Sequence, residues 1–168
     1  MRSTAFASLL IGALALAAGC GRQELAGPPA IRLARDQCAE CGMIINDERF
    51  ACALLVERDS RREHVLFDDI GCMLDFEHKS LDRARTINRF AHEYVTKAWV
   101  SPSDAAFLSC DPSKVPTPMG SGILAFADRS RATTQQGQLG GEIMDFSQLV
   151  AARQAWTDAH IGRPREGQ

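Results

Sequence analysis

Apolar positions along the chain gather into blocks separated by charged, glycine-rich or proline-rich breaks. Arg49 to Glu57 is almost continuously apolar and predicts a buried strand, with Phe50, Cys52, Leu54 and Val56 on one face. Asp59-Ser60-Arg61 reads as a turn into a second strand, Glu63 to Phe67, which makes a hairpin. Asp68 or Asp69 then caps a helix in which Ile70, Met73 and Leu74 recur at helical spacing, ending near Lys79. Tyr94 to Val100 has strand composition and stops at Ser101-Pro102. A long irregular stretch runs from there through Cys110 to Gly122. Ile123 to Ala127 predicts another strand, Asp128 a cap, and Ser130 to Gln138 a helix closed by Gly140-Gly141. Glu142 to Met144 is a connector or short strand. Asp145 caps a last helix carrying Leu149, Val150, Arg153 and Trp156 along one side.

Strand, strand and capped helix therefore occur twice, at 49–57, 63–67 and 68–79 and again at 94–100, 123–127 and 128–138. The architecture expected is α+β, with two similar ββα-type units packed together. The units fall at about 37–80 and 90–140 and the final helix at about 145–160, within a domain of 37–162; residues 163–168 form a tail.

Residues 1–19 stand apart from this pattern. Arg2 precedes an apolar run from Ala5 to Ala18, and Ala17-Ala18-Gly19 supplies small residues before Cys20. The run is shorter than the roughly 20 residues that a membrane span needs. It resembles a bacterial lipoprotein signal in which Cys20 receives the lipid, with residues 20–36 as a tether. The expected location is the periplasm, with a lipid anchor. Gly21 after Cys20, where Asp is associated with inner-membrane retention, favours the outer membrane.

The formal net charge is −2, and removal of Arg2 with the leader makes the rest slightly more acidic. That balance gives no basis for nucleic-acid binding or electrostatic membrane attachment. Of six cysteines, an odd number remains once Cys20 is set aside, in a compartment where disulfides form readily. One thiol at least must stay free, pair between molecules or bind metal.

The chemistry concentrates in Cys38-Ala39-Glu40-Cys41-Gly42-Met43. Thiolate and thioether are soft ligands that together select Cu(I) over hard ions. Gly42 can turn the chain tightly and bring the Cys41 and Met43 sulfurs toward one small ion. A redox pair, half a zinc site and a structural disulfide are the competing readings of Cys-x-x-Cys. Zinc would want a second pair, and the other cysteines stand singly with no matching histidine pair. A thioredoxin-type pair would open a helix, whereas this one lies in a loop.

Other sulfurs are open to two readings. Cys52 on the first strand reads as a small core residue. Cys72, in the first helical turn, is an auxiliary ligand candidate whose pKa the helix dipole would lower, while Met73 faces the core. Met119, on a loop stiffened by Pro116 and Pro118, either plugs a core edge or binds something. His64 and His78 have no partner at ligand spacing.

Taken together, the lipoprotein signal, Cys38-x-x-Cys41-Gly42-Met43 before a strand, Phe67-Asp68-Asp69-Ile70-Gly71-Cys72-Met73 and Thr117-Pro118-Met119-Gly120-Ser121-Gly122 resemble the NosL family of copper chaperone lipoproteins. The resemblance implies Cu(I) as cargo and no enzymatic activity. The copper goes to the copper-sulfide centre of nitrous oxide reductase, with that enzyme and its ABC-type membrane maturation complex as partners. By motif it implies Cys41 and Met43 as ligands, with Met119 and Cys38 completing the set. Cys52 and Cys110 match nothing in the family pattern. The alternative from another class is a periplasmic thiol-disulfide oxidoreductase acting through Cys38 and Cys41. An organomercurial-type thiol enzyme ranks below both, because no catalytic acid can be located.

Overall fold

The computed structural model describes residues 25–80 and 83–160. The leader, Cys20 and the tail from Gly162 lie outside the described residues. The first unit starts with β1 (Cys52–Arg58) and β2 (Arg61–Phe67), joined by a two-residue turn in which Asp59 and Ser60 both take positive φ. That turn matches the right-handed twist of its strands. Helix α1 (Ile70–Ser80) follows, and then β3 (Arg85–His92) pairs antiparallel with the other edge of β1, with a bulge at Leu55 and Val56. The short strand β4 (Trp99–Val100) extends the sheet, whose order is β2-β1-β3-β4.

The second unit repeats that path. It runs β5 (Ala106–Ser109), β6 (Ile123–Phe126), α2 (Arg129–Leu139), β7 (Glu142–Met144), in the sheet order β6-β5-β7. In both units the first strand is central and the strand after the helix takes its far edge. The fold is α+β, as expected, with each repeat one strand longer than the sequence pattern suggests.

Two strands, β3 and β5, have no counterpart in the sequence pattern. β3 carries Arg85, Asn88 and Arg89 among its apolar residues, which breaks up the alternation. β5 has only four residues in a stretch dominated by Ser, Asp and Pro. The strand expected at Tyr94 to Val100 is instead a turn until Trp99. The buried Glu93 carboxylate accepts the Val95 and Thr96 N–H groups, and the Lys97 N–H donates to the Glu93 carbonyl at 2.8 Å. Local bonds of this kind outcompete a ladder.

One core lies between the two sheets, α1 and the final helix α3 (Phe146–His160). It gathers Leu54, Val56 and Phe67 of the first unit with Phe107, Ile123 and Ala125 of the second. Because side chains alternate along a strand, Ala106, Leu108, Leu124 and Phe126 point the other way, onto Ala132 of α2. Phe50, expected on the face of Leu54, belongs to this second cluster because the chain turns at Asp47–Ala51 before β1 begins. Arg153 of α3 grips Asp75 of α1 through two bonds of 2.8 and 2.7 Å.

Candidate metal centre

The Cys38–Met43 segment is a tight loop closed by hydrogen bonds of its own backbone. The Cys38 N–H donates to the Met43 carbonyl at 2.8 Å, the Gly42 N–H donates to the Cys38 carbonyl at 2.9 Å, and Gln37 and Ile44 bridge beneath. Gly42 sits at φ 76°, which a side chain rarely tolerates. The loop is fixed to the rest of the fold twice. The Ala39 N–H donates to the Leu66 carbonyl at the end of β2, and Glu40 pairs with Lys79 in the last turn of α1.

This attachment places the loop over the junction of β2 and α1. Asp69 caps the helix: its Oδ1 accepts the Gly71 N–H at 2.7 Å, and its carbonyl accepts the Met73 N–H. The neighbouring Asp68 is then free to point elsewhere. Its carboxylate, the thiols of Cys38 and Cys41, and the Cys72 thiol from the first turn of α1 all lie within 4.8 Å of one another. Cys38, Asp68 and Cys72 are buried, and Cys41 alone is partly open to solvent.

Three thiols and a carboxylate so close together cannot all carry charge. A hydrogen bond from Cys72 draws the Cys38 thiol down to about 6. Burial, and then the neighbouring Cys38, push Cys41 up to about 11. Cys72, donating its proton to Cys38 and shielded from water, is held far above an ordinary thiol. That reverses the expectation from the helix dipole, because a proton shared with an adjacent sulfur outweighs a terminal partial charge. At neutral pH the group thus keeps two thiol protons, on Cys41 and Cys72, which a soft cation would have to displace.

Met43 and Met119 stand on the surface, 49% and 47% exposed. Met43 closes the cysteine loop. Met119 reaches the same end of α1 because its N–H donates to Asp69 Oδ2 at 3.1 Å. Cys52 is fully buried in the core and donates to the Asp69 carbonyl, and Cys110 donates to the Gly122 carbonyl at 3.1 Å. None of the five described cysteines is in a disulfide. His64 bonds the Gly27 carbonyl and His78 faces Gln154, so neither joins the group. Asp68 is the member that the sequence pattern did not single out. The available signal was the doubled Asp68-Asp69, since one helix needs one cap.

An α+β frame that sets three thiols and a carboxylate at one helix N-terminus defines a small protein with a group able to hold a soft metal ion. The chain belongs to the NosL family, whose sequence model matches residues 30–153. Its structure is similar to the crystal structure of the copper chaperone NosL from Shewanella denitrificans. The TM-score is 0.57 at 15% identity, over 73% of this chain and 96% of that one. At that identity the likeness is one of fold. No curated protein matches the chain.

Proposed function

We propose that this protein is a periplasmic Cu(I) carrier, held to the membrane by a lipid on Cys20. It delivers copper for assembly of the copper-sulfide centre of nitrous oxide reductase, through an ABC-type membrane maturation complex. The observation that carries the reading is the convergence of the Cys38, Cys41 and Cys72 sulfurs with Asp68, with exposed Met43 closing the same loop and the Met119 backbone held by Asp69 at the start of α1. Family membership and a copper chaperone of the same fold support it.

The chemistry suits a carrier. Buried Cys38 and Cys72 hold the ion from below and keep it from solution. Cys41 and the two thioethers form the open side, where a partner's ligand can enter before the last sulfur leaves. Nothing is transformed, so the protein is a carrier and not an enzyme. The oxidoreductase reading is disfavoured because Cys41, the sulfur of the pair open to solvent, is held near 11, and exchange needs a thiolate at the accessible sulfur.

The test is an anaerobic Cu(I) titration of reduced protein against a chromogenic chelator, with zinc run in parallel. Tight Cu(I) binding that Cys41→Ala abolishes and Met43→Ala loosens is the expected result. Binding no stronger than that of an unfolded thiol control overturns the proposal. A reversible Cys38–Cys41 disulfide, with activity that survives loss of Met43 and Met119, would establish the oxidoreductase instead.

A further inference from the structure

We infer that Asp69 is a positioning residue for the metal centre, whose carboxylate holds the Met119 turn against the N-terminus of α1. The inference rests on the Cu(I) reading above and adds the device that keeps a ligand from the second unit beside thiols of the first.

Asp69 is fully buried, yet its carboxylate bonds both the start of its own helix and a turn 50 residues further along the chain. Oδ1 accepts from Gly71, and Oδ2 accepts from the Met119 N–H at 3.1 Å. Both partners are donors, so the position needs two acceptors on one short side chain. A carboxylate offers that; an asparagine offers one acceptor and an NH₂ that would face a second N–H. The fit at Gly71 supports the same role. A Cβ there would lie 2.8 Å from the Ser121 Cβ, so the absence of a side chain lets the Met119–Ser121 turn seat against the first turn of α1. The turn itself is internally fixed, with Gly120 N–H on the Thr117 carbonyl and Gly122 N–H on the Thr117 hydroxyl. It therefore moves as a unit, and Asp69 and Gly71 decide where it sits.

In Asp69→Asn the local cap to Gly71 is retained and the bond to Met119 is lost, which frees the turn. The experiment is a mutant cycle of Asp69→Asn and Met119→Leu, read by anaerobic Cu(I) competition and by sulfur coordination number at the copper X-ray edge. Each single variant should lose about 10- to 100-fold in affinity, the range typical of metal ligands' supporting groups. Each should also lose one sulfur neighbour, and the double variant should bind no worse than the weaker single. Gly71→Ala, which keeps both carboxylate oxygens but sets a methyl 2.8 Å from the Ser121 Cβ and 3.1 Å from Asp69 Oδ1, should displace the turn with the same non-additive loss and carries the test if Asp69→Asn does not fold. Losses that multiply, or Asp69→Asn with native affinity and sulfur count, would overturn the inference. So would native affinity in Met119→Leu, which leaves the copper reading standing. Failure of the unaltered protein to bind Cu(I) overturns both.

Discussion

The Cys41 sulfur lies 3.6 Å from each carboxylate oxygen of Asp68. A thiol equidistant from two carboxylate oxygens is held against a negative charge that a bound cation would relieve. Asp68→Asn should therefore weaken Cu(I) by about 10- to 100-fold, as loss of a ligand or its orienting partner does. Competition titration of the purified variant checks this, and unchanged affinity would show that Asp68 takes no part.

The hydrogen bond from Cys72 is the first cause of the depressed Cys38 thiol. Cys72→Ala should move Cys38 upward from about 6, toward an ordinary thiol, because burial is then opposed only by the backbone bonds from Cys41 and Asp68. The ultraviolet absorbance of thiolate followed against pH reads the change. A transition left near 6 would reject the assignment.

Copper affinity should fall with acid in two stages. Above about 6, Cys38 is already ionised, and Cys41, held near 11, must release one proton on binding. If these two thiols alone ligate, affinity then rises about tenfold per pH unit. Below about 6, Cys38 must release a proton as well, and the slope doubles on a logarithmic scale. If Cys72 ligates too, its proton adds one further unit of slope throughout. Chelator competition between pH 5 and about 8 distinguishes these cases.

Phe107, at the centre of β5, is fully buried and belongs to the core shared by both units. Phe107→Ala should cost about 3–5 kcal/mol of stability, the range for a core aromatic. Denaturant unfolding of the metal-free protein measures it. A loss below about 1 kcal/mol would mean that the two units do not depend on this contact.

The strands and helices with strong local signals could be read from the chain. β1 is a dense apolar run, and Asp128 and Asp145 cap their helices as the sequence suggests, through bonds of 2.9 Å to Arg131 and 2.8 Å to Gln148. β3 and β5 were hidden because their pairing energy comes from partners distant in sequence, which no local window contains. The centre shows the same division. Cys38 and Cys41 advertise themselves by spacing, whereas Cys72 and Asp68 join them only once β2 delivers its end beneath the cysteine loop. That Asp69, and not Asp68, would take the cap depends on where α1 begins.

The repeated path of the two units has a further consequence. Phe67, Asp68, Asp69 and Cys72 around the start of α1 occupy the places of Phe126, Ala127, Asp128 and Arg131 around the start of α2. Strand end and helix cap are the same in both. Where the first unit offers a carboxylate and a thiol, the second has a methyl group and a guanidinium. The protein thus contains its own inert counterpart: the same strand-to-helix corner, stripped of ligands and given a positive charge. A few side chains alone separate the two corners, and in the copper reading proposed above the second unit takes part only through Met119, from outside its own corner.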